Sequence, residues 1–268
     1  MSSTLLTARR RFLPLSSLVL RREYRGTALE TRGMRDFPVL ASRISGVDGA
    51  TLSSYCAEAL AYRIVRQRSR EFQVRVEERT LAYAESLYVL ARALRPKVTV
   101  ETGVCTGITT GYLLSALRKN GDGGRLVSID LPMLDPGGML NADGVRDRAH
   151  VRAVEETGLL ADPALRNDPS LWRLHLGDAK QLLPTVLEDL GGIDGFYHDS
   201  EHSYAHMSFE FAQAWPHLRP GGLLISDDIN FSEGARRAWR EFVAGKADPS
   251  WQYFGPRGNR GVLRKLPG

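Results

Sequence analysis

From residue 97 onward, short runs rich in β-branched and aliphatic residues alternate with longer amphipathic stretches. Strands are predicted at 97–101, 125–129, 172–176, 193–198, 222–226, 251–254 and 260–265. Helices are predicted at 108–119, 143–157, 179–190, 203–218 and 233–246. Parallel strands need a long crossover, and a helix is the usual one, so the alternation predicts a parallel sheet covered on both faces. Only "GPRGN" separates the last two strands, which predicts an antiparallel hairpin. The fold class is therefore α/β, with a seven-stranded, mostly parallel sheet.

Residues 51–94 read as helical throughout. Ala84, Leu87, Ala91 and Leu94 share one face, and Pro96 stops the run. Three parts follow: a basic N-terminal arm (1–50), a helical extension or lid (51–95) and a catalytic domain (96–268). Residues 1–49 carry nine Arg against four acidic residues. The whole chain is only +5, so the remainder has no net charge. A body without net positive charge argues against a nucleic-acid partner. Residues 1–25 mix basic and apolar residues and read as a docking arm, with weak contact to a membrane surface as the alternative. No apolar run approaches the ~18–20 residues of a membrane span. Two cysteines, Cys56 and Cys105, form no disulfide framework, so a reducing, cytoplasmic setting is expected.

The stretch "VTVETGVCTGITTGYLL" (98–114) places Gly103, Gly107 and Gly111 four apart between a strand and a helix. The spacing is wrong for a dinucleotide fingerprint, and no Lys completes a P-loop. Ligands of open parallel sheets sit outside the carboxyl ends of the strands. Here each of five strand ends carries an acid: Glu101, Asp130, Asp178, Asp199 and the pair Asp227–Asp228. Asp130 follows the Gly turn by one strand–helix–strand unit, where an acid accepts ribose hydroxyls. Asp178 is placed to receive an adenine amino group. Glu101 suits a cationic or amino-bearing ligand. A nucleoside bearing an amino acid and a sulfonium meets these demands better than a dinucleotide.

The ordered segments "VETGVCTGITTGYLL", "SIDLP", "LGDAKQLLP", "FYHDSEHSYAHM" and "LRPGGLLISDD" resemble class I S-adenosylmethionine-dependent methyltransferases. Within these the chain is similar to metal-dependent small-molecule O-methyltransferases, including those acting on sugars of macrolide antibiotics. The resemblance covers residues 75–266 and implies a Rossmann-like fold. It implies that Glu101, Gly103 and Gly107 hold the methionine part of S-adenosylmethionine, Asp130 the ribose, and Asp178 with Ala179 the adenine. It implies that Asp199, Asp227 and Asp228 bind Mg²⁺ or another divalent cation, a hard ion suited to oxygen ligands. Catechol-type relatives have Asn where this chain has Asp228, which favours a sugar or aliphatic hydroxyl. His202, three residues after Asp199, is the candidate base, since neutral imidazole is available near pH 7. His198 and His206 are left out of the catalytic set. The expected partner is a small-molecule hydroxyl acceptor, possessed by a sugar or glycosylated natural product, and the expected assembly is a homo-oligomer. Two alternatives are kept: an N-methyltransferase, and a non-catalytic binding or assembly subunit with the same fold.

Overall fold

The computed structural model describes residues 34–131, 139–140, 142–144, 146–147, 157–253 and 259–267. Most of the basic arm, most of the loop 132–144 and residues 148–156 of an expected helix lie outside that set.

Among the described residues four helices precede the sheet: α1 (Phe37–Ser45), α2 (Gly49–Ala61), α3 (Ile64–Glu71) and α4 (Glu78–Leu94). The expected single helical run breaks twice. Tyr62 is extended at the end of α2, and Gln73 takes a left-handed backbone between α3 and α4. Helix α4 ends at Arg95, just ahead of Pro96. The boundary expected at residue 50 also moves. Phe37, Leu40, Ala41 and Ile44 recur at helical spacing and are fully buried, while Arg35 and Arg43 stay outside. Charge suggested an arm, but the apolar stripe makes α1 part of the folded body. Phe37 packs on Tyr253 with ring centroids 5.3 Å apart, and Arg264 donates to the Ile44 carbonyl at 2.7 Å.

The chain then alternates through β1 (Val98–Thr102), α5 (Ile108–Asn120) and β2 (Arg125–Asp130). A small hairpin follows, β3 (Met139–Leu140) with β4 (Arg146–Asp147). A helix was expected at 143–157; its described part is instead strand and turn. Asp143-Gly144 is a turn signal, and Gly144 has a positive φ of 71°, which favours a hairpin over a helix start. Next come α6 (Pro163–Arg166), β5 (Trp172–Leu176), α7 (Ala179–Leu190), β6 (Ile193–His198) and α8 (Tyr204–His217). The chain closes with β7 (Leu218–Ser226), α9 (Glu233–Ala244), β8 (Ser250–Tyr253) and β9 (Arg260–Arg264). Side-chain caps start α7 at Asp178, α8 at Ser203 and α9 at Ser232.

The large sheet runs β5-β2-β1-β6-β7-β9-β8. Its first five strands are parallel and the last two antiparallel. This is the seven-stranded, Rossmann-like arrangement expected of the class I fold. All five residues of β1 are buried, as a central strand covered on both faces requires. Alternate side chains feed two apolar layers. Leu126, Tyr197 and Leu223 pack with α4 and α5. Val127, Phe196 and Leu224 pack with α7, α8 and α9. The topology brings the carboxyl ends of β2, β1, β6 and β7 side by side. Among the described residues, no helix is long and apolar enough to cross a membrane.

Candidate active site

The turn after β1 is built around two glycines. Gly103 has φ 86°, and a Cβ there would lie 2.0 Å from the carbonyl oxygen of Asp199. Its N–H donates to the Ile129 carbonyl at 2.9 Å. Gly103 thus lets the turn lie directly between the ends of β2 and β6. Gly107 has φ 81° and starts α5, and a Cβ there would lie 2.6 Å from Gly158 Cα. Its demand is close packing against the 157–160 turn. Gly111 packs within α5 against Ala161.

Asp130 ends β2 beneath this turn. Its carboxylate accepts from the N–H groups of Val104 (3.1 Å) and Cys105 (3.2 Å). Burial raises its pKa, against the pull of those bonds. The Leu131 N–H and the Thr157 side chain also donate to it and pull its pKa down. Two exposed apolar side chains flank it: Leu131 follows it in sequence, and Leu176 faces it in the β2–β5 register. Ala179 is buried at the start of α7. Asp178 is the cap of that helix, its Oδ1 accepting from the Lys180 N–H at 2.8 Å.

Glu101 is placed differently from the other strand-end acids. It is fully buried and accepts from Ser128 (2.7 Å), Thr110 (2.9 Å) and Thr109 (3.2 Å). It therefore braces β2 and α5 under the turn and does not face open space. Burial pushes its pKa up to about 7, from an ordinary 4.5. A raised carboxyl pKa stabilises the fold fully below pH 4.5, and that stability is lost as pH rises towards 7. The loss is on the order of 3 kcal/mol. Glu101→Gln is expected to flatten this dependence. Urea unfolding of both proteins from pH 4 to pH 8 measures it, and equal slopes would remove Glu101 as the source.

The ends of β6 and β7 hold the acid centre. Asp199 Oδ2 accepts from the Tyr197 hydroxyl at 2.8 Å. Its Oδ1 lies 3.9 Å from His202 Nε2. Asp227 Oδ1 accepts from the Asp228 N–H at 2.9 Å. Asp228 holds a left-handed backbone with φ 44°, a strained conformation for a non-glycine residue. Burial first, and repulsion from Asp227 second, push Asp199 well above the usual carboxylate range and raise Asp228 as well.

The sequence analysis expected a bound cation to hold these acids together. Part of that counter-charge comes from the chain itself. Arg260, at the start of β9, is fully buried, and its Nη2 donates to Asp227 Oδ2 (2.9 Å) and the Tyr197 hydroxyl (2.8 Å). Among the described residues no three His, Cys, Asp or Glu side chains close on one point as a metal cage. The donor set still suits a divalent cation in kind. It is all oxygen, and three carboxyl groups crowd there against the guanidinium of Arg260 and the field of Arg79.

His202 is buried, with its ring centroid 5.3 Å from that of His198 and 5.7 Å from that of Phe231. Behind it lies a network that sequence reading missed. The fully buried Glu210 receives Thr102 (2.6 Å), His198 Nδ1 (2.7 Å), Ser200 (2.8 Å) and His206 Nε2 (2.8 Å). Burial alone would raise the Glu210 pKa, yet the flanking His198 and His206 hold it well below its ordinary value. His198 and His206 are thus structural partners of Glu210 on the far side of the acid centre. The signal was the spacing of His206 and Glu210, one helical turn apart on α8. Glu201 Oε1 accepts from the Ala142 N–H (3.1 Å) and Ser203 (2.6 Å). Asp143 Oδ2 accepts from the Tyr204 N–H at 2.9 Å. The described end of the 132–144 loop therefore docks beside the acid centre.

Residues 100–229 match the family model of a methyltransferase domain. No curated protein matches the chain. Among solved structures, the O-methyltransferase TomG from Streptomyces achromogenes, involved in tomaymycin synthesis and in complex with S-adenosylmethionine, is 23% identical. The match covers 85% of this chain and 99% of TomG, with a TM-score of 0.52. The calicheamicin methyltransferase CalS11 is 18% identical over 75% of this chain and 91% of its own, at TM-score 0.51. The methyltransferase PaMTH1 from Podospora anserina is 12% identical over 99% of this chain and 100% of its own, at TM-score 0.50. At these identities the likeness establishes the fold.

Proposed function

We propose that this chain, an S-adenosylmethionine-dependent methyltransferase by the domain at residues 100–229, transfers a methyl group to a hydroxyl of a small molecule with the aid of Mg²⁺. One observation carries the reading. The strand order β2-β1-β6-β7 sets Asp130, Gly103, Asp199 and Asp227 next to one another along one sheet edge. An acid at the end of β2, a glycine turn and an acid–histidine centre thus lie side by side at the carboxyl ends of neighbouring strands.

Asp130 binds the ribose hydroxyls and fixes the nucleoside end. Leu131 and Leu176 cover the base, with Asp178 and Ala179 at its border. Gly103 and Gly107 shape the turn against the methionine end, and Glu101 supports that turn from below. S-adenosylmethionine supplies an electrophilic sulfonium methyl, and a divalent cation at Asp199, Asp227 and Asp228 supplies polarisation of the acceptor hydroxyl. As the acceptor oxygen bonds to the methyl carbon, the carbon–sulfur bond breaks and its electron pair stays on sulfur. His202 takes the hydroxyl proton at Nε2, with Asp199 beside it to stabilise the imidazolium.

The acceptor reading is a sugar or glycosylated natural product. Support comes from the acid at position 228, and TomG and CalS11 are themselves named for natural products. Cofactor recognition is tested by Asp130→Ala. Charged hydrogen bonds contribute roughly 1.5–3 kcal/mol each, so binding is expected to weaken about tenfold or more. Calorimetry with S-adenosylhomocysteine measures it. A wild-type protein that binds none would overturn the reading, and equal binding by the variant would remove Asp130 from the site.

A further inference from the structure

Arg260 stands out among the buried groups. Its guanidinium has no solvent exposure, yet it carries a full charge between two acidic strand ends. Nη1 donates to the Tyr83 carbonyl at 2.7 Å. Nη2 reaches both Asp227 and the Tyr197 hydroxyl, and that hydroxyl in turn holds Asp199. The rings of Tyr83 and Tyr197 lie 4.7 and 5.2 Å from its central carbon. The backbone fixes its origin too, because Gly261 pairs with Ser226 and so sets Arg260 beside Asp227. The side chain has no room to swing away: Tyr83 on α4, Tyr197 on β6, Tyr253 on β8 and Asp227 just past β7 surround it.

We propose that Arg260 is the built-in counter-cation of the acid centre: it presets Asp199 and Asp227 and lowers the affinity of that centre for a divalent cation. The inference rests on reading Asp199, Asp227 and Asp228 as a cation site. One guanidinium nitrogen serves both carboxylates, directly at Asp227 and through Tyr197 at Asp199. Each acid keeps its other oxygen off Arg260: Asp199 Oδ1 lies 3.9 Å from His202 Nε2, and Asp227 Oδ1 accepts from the Asp228 N–H at 2.9 Å. The same fixed charge repels any cation that those oxygens attract. At an effective dielectric of about 20, a unit charge roughly 6 Å from a dication opposes its binding by several orders of magnitude before relaxation. The centre is therefore set to bind and release a metal readily, with its carboxylates ordered in advance.

Arg260→Met removes the charge and keeps an apolar side chain among the tyrosines. Mn²⁺ binding, read by its electron paramagnetic resonance signal, is expected to tighten at least tenfold, a cautious figure against the Coulomb estimate. Tb³⁺, read by luminescence, is expected to gain more than Mn²⁺, since the repulsion scales with ion charge. A merely structural role for Arg260 predicts weaker binding of both ions. Breaking a buried pair is destabilising, so a second comparison avoids a lone buried carboxylate. Asp227→Asn/Arg260→Met is expected to bind Mn²⁺ at least tenfold tighter than Asp227→Asn alone. Equal or weaker binding in both comparisons overturns the inference while leaving the metal reading intact. Binding by none of these proteins, wild type included, overturns both.

Discussion

Gly103→Ala is expected to destabilise the protein by at least about 4 kcal/mol, a loss that only a few mechanisms produce. Two costs combine. The first is the backbone: φ is 86°, a region that L side chains rarely adopt. The second is space. The added Cβ would lie 2.0 Å from the Asp199 carbonyl oxygen, 2.5 Å from its carbon and 2.9 Å from the Ser200 nitrogen. Those are main-chain atoms at the end of β6, so no rotamer change can clear them. Relief requires the turn to part from β6, and the Asp199 carboxylate would move with its backbone. The variant should therefore lose cofactor binding and acid-centre geometry together. Gly121→Ala is the control, because its φ is also positive but nothing lies within 4 Å of the added carbon. Its loss should stay near 1–2 kcal/mol, the cost of the left-handed backbone alone. Chemical denaturation of both variants gives the comparison. Equal losses would mean that contact with Asp199 is not what fixes Gly103.

The same contact explains what could be read without coordinates. A glycine between a strand and a helix marks a close approach, and an acid at each strand end marks the ligand edge. Both are local signals, and both point to the same edge of the sheet. What Gly103 approaches is set by strand order, which brings together residues 96 positions apart. Arg260 was missed for a related reason. It reads as one more basic residue near the C-terminus, in a segment correctly taken as an antiparallel hairpin. Only the pairing of β9 with β7 sets it opposite Asp227. An antiparallel strand beside β7 must begin where β7 ends, so its first residue always lies near the acid pair.

The N-terminal 50 residues show the opposite failure. Charge dominated the reading of residues 1–50, while Phe37, Leu40, Ala41 and Ile44 carried a helical period within the same segment. The hairpin at 139–147 was hidden by its neighbours, because Asp143-Gly144 sat inside a stretch read as amphipathic. Glu210 was hidden by its type. A glutamate on a helix is usually solvated, and nothing local announces that two histidines, a threonine and a serine will bury it.

His202→Ala is expected to lower turnover by about 10²–10⁴-fold with cofactor affinity unchanged, the range for a positioned base. The structure supplies the reason for both halves of that statement. His202 Nε2 lies 3.9 Å from Asp199 Oδ1, within the acid centre. Asp130, the acid proposed to bind the ribose, lies on the other side of β1, two strands away in the order β2-β1-β6. Loss of the imidazole should therefore touch the acceptor proton and not the nucleoside. A chelator should abolish turnover of the wild type, and added Mg²⁺ should restore it, because the proposed reaction has metal and base acidify the hydroxyl together. In His202→Ala the residual rate should rise with pH as hydroxide replaces the missing base, whereas a variant damaged only in structure would show no such recovery. Steady-state assays with acceptor alcohols of decreasing pKa sharpen the test. The deficit of the variant should shrink as the acceptor becomes more acidic, since less proton removal is then asked of the protein. A constant deficit across the acceptors would leave His202 as a packing residue against Phe231 and His198. Full turnover in excess chelator would remove the metal from the mechanism and leave the counter-charge at the acid centre to side chains such as Arg260 and Arg79.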